Sequence, residues 1–265
     1  MDDSLLTQSA AGLLVGREGP IGWLVFDNPE RHNALTPEMM AGMDAAVGVL
    51  ASDAAVRVVV MRGAGTKAFM AGGDLKRSSE WHDTEGSRAA SENFTRALGL
   101  LDKPLIAMIH GWCLGAGLLM TLPADLRIAS DEAQIGIPAA KVGIGLPYEE
   151  VKKLILIAGA ANAAELILTG ARYCAADAQR LGLVNRVVPK ADLESRVSQL
   201  ALEIAQNAPL TIRAAKNTIR SVILGDEAEI RALSQELIDA CFKSSDLAEG
   251  LTAFAEKRAP RFTGR

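Results

Sequence analysis

Hydrophobic positions in the first third of the chain fall into short continuous runs parted by turn residues, with one longer stretch at helical spacing. Gly12–Gly16 and Ile21–Phe26 flank the turn-like Arg17-Glu18-Gly19-Pro20, which predicts a hairpin. Thr36 suits a helix N-cap and Pro37 the first helical position, and Met39, Met40, Met43, Val47 and Leu50 then repeat on one face. Val58–Met61 and Pro104–Ile109 are continuous apolar runs, as expected of strands buried on both faces. Ala89–Leu101 has helical periodicity, a short helix is expected to end at Pro123, and Asp125–Ala129 returns as a strand. Residues Ser78–Ser87 are polar and aperiodic, as a surface loop would be.

Beyond about residue 147 the pattern turns helical. Ala163–Leu168 and Ala175–Leu181 predict short helices and Val184–Val188 a last strand. Amphipathic stretches at Leu193–Gln206, Leu210–Leu224 and Glu227–Phe242 follow. Strand-turn-strand-helix units with a helical tail indicate an α/β core and a helical C-terminal layer.

Two glycine clusters interrupt this pattern between a buried strand and a helix. They are Ala68-Phe69-Met70-Ala71-Gly72-Gly73-Asp74-Leu75 and His110-Gly111-Trp112-Cys113-Leu114-Gly115-Ala116-Gly117. Glycine opens backbone conformations closed to other residues and lets a ligand approach a peptide N–H directly. Free N–H groups at a helix start favour a negatively charged oxygen. The plain alternative is a pair of tight turns with no ligand. Neither cluster closes with the Gly-Lys-[Ser/Thr] of a phosphate-binding loop, and neither has the dinucleotide spacing Gly-x-Gly-x-x-Gly.

Composition narrows the function classes. At 49% apolar and 23% charged residues, the 265-residue chain has the balance of a globular protein. A net charge of -4 offers no basic field for nucleic acid or an anionic membrane. The start, MDDSLLTQSA, lacks the basic and apolar character of a signal peptide, and no apolar run approaches a membrane span of about eighteen residues. Three scattered cysteines (Cys113, Cys174, Cys241) and three histidines (His32, His82, His110) offer no disulfide framework or metal-ligand spacing, so a cytoplasmic protein without a metal is expected.

Taken together, the two clusters resemble the signatures of the crotonase (enoyl-CoA hydratase/isomerase) superfamily: Ala-Phe-x-Ala-Gly-x-Asp-Leu, and a glycine-rich turn usually written Asn-Gly-x-x-x-Gly-Gly-Gly. Asn28-Pro29-Glu30-Arg31-His32-Asn33-Ala34-Leu35 resembles the family's N-terminal turn, and residues 175–185 and 254–262 match it in order. The resemblance implies a spiral of ββα units over residues 1–200 that binds acyl-CoA. It also implies a C-terminal helical region, residues 201–265, that mediates trimerisation, commonly with two trimers stacked. Gly73 and Ala116 match the two residues whose backbone N–H groups form the oxyanion hole. Coenzyme A would run along Arg31, Asn33, Ala34, Phe69, Ala71 and Gly72, with Lys257 touching a phosphate from a neighbouring subunit. A solvated basic helix end is the plain reading of Lys257 and Arg258. The implied ligand is the coenzyme A thioester as substrate, with no separate cofactor.

The typical hydratase pair of glutamates is missing. One should lie three residues after the second oxyanion-hole position, which is Leu119, and the other after a proline in Ile137-Pro138-Ala139, which is Ala139. The aspartate of dienoyl-CoA isomerases and of chlorobenzoyl-CoA dehalogenase corresponds to Pro147, and the glutamate of single-glutamate isomerases to Ala139. What remains nearby is Pro147-Tyr148-Glu149-Glu150. A Pro-Tyr pair in this region resembles methylmalonyl-CoA decarboxylase, so Tyr148 is a candidate proton donor; the plain reading packs its ring under the following helix. Glu149 and Glu150 would sit in a first helical turn and complement its dipole, or one would reach inward as the acid/base. Asp74 is expected to cap a helix, and His110 to hydrogen-bond locally. Glu80, His82, Asp83 and Glu85 lie in the loop that could close over the acyl group. The expectations are an acyl-CoA enzyme with chemistry other than two-glutamate hydration, a decarboxylase-like variant using Tyr148, or a non-catalytic acyl-CoA binder; nucleic-acid and membrane roles are not expected.

Overall fold

The computed structural model describes residues 5–77, 94–224 and 228–265. The strands are β1 (Leu6–Ala10), β2 (Leu13–Glu18), β3 (Ile21–Phe26), β4 (Val58–Gly63), β5 (Ala68–Met70), β6 (Leu105–Ile109), β7 (Trp112–Leu114), β8 (Leu126–Ser130), β9 (Gln134–Gly136), β10 (Arg172–Cys174) and β11 (Arg186–Val188). The helices are α1 (Pro37–Ser52), α2 (Arg96–Leu100), α3 (Ala116–Thr121), α4 (Tyr148–Ala158), α5 (Ala160–Thr169), α6 (Ala175–Arg180), α7 (Leu193–Ala205), α8 (Pro209–Leu224), α9 (Ala228–Phe242) and α10 (Ser245–Ala255).

Seven strands form one sheet in the order β1-β2-β3-β4-β6-β8-β11, and four form a second in the order β10-β9-β7-β5. The hairpin β2–β3 pairs antiparallel as its turn residues predict, and from β3 onward the first sheet is parallel. Continuous apolar runs in β4 and β6 follow from burial on both faces. On one face α7 lays Leu193, Val197 and Ala201, spaced one turn apart, over Trp23, Val58, Val60, Ile106, Met108 and Ile128. The other face joins α1 and the second sheet around Leu24, Phe26, Met39, Met43, Met61, Phe69 and Leu119. Thr36 caps α1 as expected, its Oγ1 accepting from the Met39 N–H at 3.3 Å.

Several elements depart from the sequence-based expectation. The polar-looking start contains β1, an edge strand whose Leu6-Thr7-Gln8-Ser9-Ala10 alternates too weakly to stand out, and it is held by pairing to β2. The four strands of the second sheet are three residues each, shorter than any periodicity can register. A fourth helix, α10, follows the three amphipathic stretches of the tail. Of the helix expected at Ala89–Leu101, α2 covers 96–100; residues 89–93, and the loop with Glu80, His82, Asp83 and Glu85, lie outside the described residues. Among the described residues, no helix is long and apolar enough to cross a membrane.

Candidate active site

Three short parallel strands of the second sheet, β5, β7 and β9, end side by side. Each runs into a segment singled out above: Ala71-Gly72-Gly73, Gly115-Ala116 and Ile137-Pro138-Ala139. Carboxyl ends of parallel strands are where open α/β sheets place their ligands.

The first segment turns at Gly72, at φ 107°, and is tied to the N-terminal turn by an isolated parallel bridge between Leu35 and Gly73. The Leu35 N–H donates to the Gly72 carbonyl and the Asp74 N–H to the Leu35 carbonyl, each at 2.9 Å. In a parallel bridge the bonds run through the two neighbours of the bridged residue, here the Gly72 carbonyl and the Asp74 N–H, so the Gly73 N–H itself faces away from Leu35. No acceptor for it occurs among the described residues. The second segment supplies the first residue of α3, Ala116, whose N–H has no intrahelical partner. Gly115, at φ 54° and ψ -118°, occupies backbone space that a side chain would forbid.

These turns touch. A Cβ on Gly115 would lie 3.7 Å from the Gly72 Cα, and a Cβ on Gly72 would lie 3.7 Å from the Leu114 carbonyl. At Gly117 a Cβ would fall 2.0 Å from the Met70 carbonyl, so glycine there lets α3 seat directly on the end of β5. The structure therefore brings Gly73 and Ala116 onto adjoining turns, each with an N–H not used by the backbone.

Asn28–Leu35 folds as a clasp behind this pair. Asn33, 1% exposed and at φ 57°, donates from Nδ2 to the carbonyls of Ala64 (2.9 Å) and Ala68 (2.8 Å) and accepts from the Asn28 N–H at 3.0 Å. Its side chain is thus consumed in holding the turn. Phe69 is fully buried with its ring edge-on to Phe26. Ala34 is buried, while Ala71 and Gly72 are partly exposed, so backbone is what this strip offers a ligand. Arg31 is half exposed and pairs with buried Asp74, which also accepts from the Lys76 N–H at 3.2 Å and so caps the turn it starts. Lys257 lies exposed just past α10 at φ 55°, beside Arg258, whose guanidinium is engaged by Glu249 and Glu256.

The two positions at which the resemblance implied acids are apolar and buried. Leu119 lies one turn along α3 from Ala116, and Ala139 sits in the 3-10 turn after β9; both belong to the main core. Tyr148 and Glu149 open α4 and are exposed. Tyr148, 77% exposed, does not pack under its helix as expected, because the first position of α4 faces outward. Glu150 is 1% exposed; its Oε1 accepts from Thr95 Oγ1 at 2.5 Å and from Lys153 Nζ at 2.9 Å. Sequence periodicity did not separate Glu149 from Glu150; the phase of α4 does. His110 is buried, and burial, with the charges of Arg62 and Lys190, pushes its imidazole down to about 4, a neutral group poorly suited to accept a proton. Burial pushes the Cys113 thiol up, so it is an inert core residue. Among the described residues, no group of three or more His, Cys, Asp and Glu side chains is placed to hold a metal.

The enoyl-CoA hydratase/isomerase family model matches residues 16–265, nearly the whole chain and both turns. The chain belongs to the enoyl-CoA hydratase/isomerase family. A short-chain-enoyl-CoA hydratase of Clostridium acetobutylicum is 32% identical over 248 residues, covering 93% of this chain and 95% of that protein. A carnitinyl-CoA dehydratase of Salmonella typhi is 34% identical, covering 94% and 97%. Among solved structures, a putative enoyl-CoA hydratase/isomerase family protein from Hyphomonas neptunium superposes with a TM-score of 0.90 at 30% identity, covering 97% of this chain and all of that one. An enoyl-CoA hydratase from Bacillus anthracis gives 0.89 at 30% identity, covering 96% and 100%. Within this family the mixed α/β fold with a helical C-terminal region is the shared architecture.

Proposed function

We propose that this enoyl-CoA hydratase/isomerase family member binds an acyl-CoA thioester with its carbonyl oxygen between the Gly73 and Ala116 N–H groups. There it stabilises the enolate formed next to that carbonyl. One observation carries the reading: two turns in contact, each with a backbone N–H that has no backbone acceptor among the described residues. Removing a proton beside a thioester carbonyl moves an electron pair onto oxygen. Two fixed donors stabilise that charge without reorganising, by about 3–4 kcal/mol each in comparable sites. The coenzyme A moiety would run along the backbone of Ala34, Ala71 and Gly72 with Arg31 at its edge, and Lys257 would reach a phosphate from an adjoining subunit. Trimeric assembly is part of the proposal, supported by the apolar side chains that α8–α10 leave exposed.

Ordinary hydration by two glutamates is not the proposed reaction. Hydration needs one group to activate water and one to deliver a proton, and Leu119 and Ala139 can do neither. A second reading, an acyl-CoA binder without turnover, is favoured by those same two residues.

Calorimetry with butyryl-CoA and with free butyrate tests the binding, and α-proton exchange in D2O separates the two readings. Saturable binding of the thioester alone, with exchange of its α-protons, is expected. Absence of thioester binding would overturn the proposal, and binding without exchange or turnover across an acyl-CoA panel would leave the binder. Rapid hydration of crotonyl-CoA, followed by loss of the conjugated thioester's absorbance, would contradict the exclusion of hydration.

A further inference from the structure

We infer that Arg127 is a positioning residue for the second oxyanion donor: its buried guanidinium fixes the far end of α3 and so the aim of the Ala116 N–H. The inference rests on the acyl-CoA reading above. Ala116 opens α3, which is only six residues long. So short a helix has few internal hydrogen bonds and little rigidity of its own. Where its first N–H points is decided by what grips its two ends. At the start, Gly117 seats against the Met70 carbonyl at the end of β5. At the other end the grip comes from one side chain.

Arg127 lies on β8, where its backbone is fixed from both sides. It pairs with Ala107 of β6, and its N–H donates to Asn185 Oδ1 while its carbonyl accepts from the Asn185 N–H, each at 2.8 Å. On the strand it shares a face with Ala129, which belongs to the main core. From this root Nη1 donates to the carbonyls of Ala124 (2.7 Å) and Thr121 (3.4 Å), and Nε to that of Leu183 (2.9 Å). Thr121 is the last residue of α3, and the Ala124 N–H bonds back to the Thr121 carbonyl at 3.1 Å. Nη1 therefore holds both ends of the turn that closes the helix.

The residue type fits this work better than it fits a core position. Arg127 is 7% exposed, and the neighbouring acid Asp125 is turned elsewhere, its Oδ2 accepting from the Leu105 N–H and from Lys216 Nζ. Burial pushes the guanidinium down to about 10, still a cation at neutral pH. A buried cation is costly, and an apolar side chain would fill this face without that cost. What the guanidinium adds is a rigid planar fork that can hold several carbonyls in fixed directions. It also sets positive charge at the carbonyl end of α3, the pole that favours a cation. A hydrogen bond weakens steeply as its angle closes. A tilt of α3 would thus weaken the Ala116 donor, while the proposed coenzyme A strip of Ala34, Ala71 and Gly72 lies on other segments.

The test compares wild type, Arg127→Lys and Arg127→Met by calorimetry with butyryl-CoA and with S-butyl-CoA, a thioether that has no carbonyl oxygen. Infrared spectra of bound butyryl-CoA, isotope-labelled at the carbonyl carbon, read the donors directly, because a carbonyl held by hydrogen bonds absorbs at lower frequency. Wild type is expected to favour the thioester and to shift its carbonyl band down. Arg127→Met should bind the thioether as wild type does, lose about tenfold in thioester preference, and show a band close to that of the free thioester. Arg127→Lys, which keeps the charge without the fork, should fall between the two in both readouts. Should Arg127→Met fail to fold, Arg127→Lys decides alone, and wild-type values there would refute the inference. A role confined to stability would lower the melting temperature and leave preference and band as in wild type. That result, or an equal loss of both ligands, would overturn the inference while leaving acyl-CoA binding intact. Wild type that binds the two ligands alike with an unshifted band, or binds neither, would instead overturn the reading beneath it.

Discussion

A backbone donor cannot be deleted by changing a side chain, except with proline. Ala116 is the first residue of α3, where proline's fixed φ suits the helix and the missing N–H breaks no intrahelical bond. Ala116→Pro should therefore remove one donor and little else. We expect α-proton exchange to fall 10²–10³-fold with the melting temperature within a few degrees of wild type; an unchanged rate would show that Ala116 holds no oxygen. His110 gives a prediction of a different kind. Its imidazole titrates near 4 in the fold, against an ordinary 6.5, because burial and the nearby Arg62 and Lys190 charges disfavour the cation. Between those values the unfolded chain binds more protons than the folded one, so stability rises with pH. The contribution is complete above about 6.5 and is lost as pH falls toward 4, at most about 3 kcal/mol. Between pH 7 and 4, urea titrations should show wild type losing up to about 3 kcal/mol more stability than His110→Asn, and parallel curves would rule the histidine out as the cause.

At the scale of elements, the N-terminal clasp decides whether the first N–H is in place. Asn33 links three backbone groups of different segments, those of Asn28, Ala64 and Ala68. Asn33→Ala would remove all three bonds, the one to Ala68 buried and the other two part-buried, and we expect a loss of about 2–3 kcal/mol together with weaker butyryl-CoA binding. A variant that keeps both stability and affinity would contradict the clasp. The motif around Asn33 was legible in the sequence as a match to a family pattern, but its work was not. Periodicity places α1, β3, β4 and β6 correctly because each is long enough to bury a whole face. It is blind to β5, β7, β9 and β10, three residues each, although three of these deliver the site segments side by side. Leu119 and Ala139 could be read by counting from Ala116, since spacing along a chain survives folding. Which of Glu149 and Glu150 turns inward could not, because that depends on the phase of α4 against Leu154 and on Thr95, fifty-five residues away.

The whole molecule leaves a conspicuous apolar surface on its helical tail. Ile219 and Val222 on α8, Phe242 on α9, and Leu251 and Phe254 on α10 are each more than 60% exposed. Of these, Ile219, Phe242 and Leu251 line one apolar groove together with Leu210, Ala214, Ile238 and Phe262. Monomeric proteins rarely show so much contiguous apolar surface to water, and its burial between copies would offset the cost of association. Lys257 gives the arrangement a functional edge, for it stands just beyond Phe254 at the end of α10. If copies pack through this tail, a subunit's Lys257 can lie near its neighbour's coenzyme A, and assembly becomes a condition of binding. Light scattering should give a mass of three or six protomers. Phe254→Asp, which places a charge on the most exposed of these side chains, should shift the protein toward monomers at micromolar concentration and weaken butyryl-CoA binding in parallel. A Lys257→Ala variant should keep the wild-type mass and lose affinity alone. Monomeric wild type would refute the assembly. A monomeric Phe254→Asp with full affinity would show instead that each chain binds its thioester by itself.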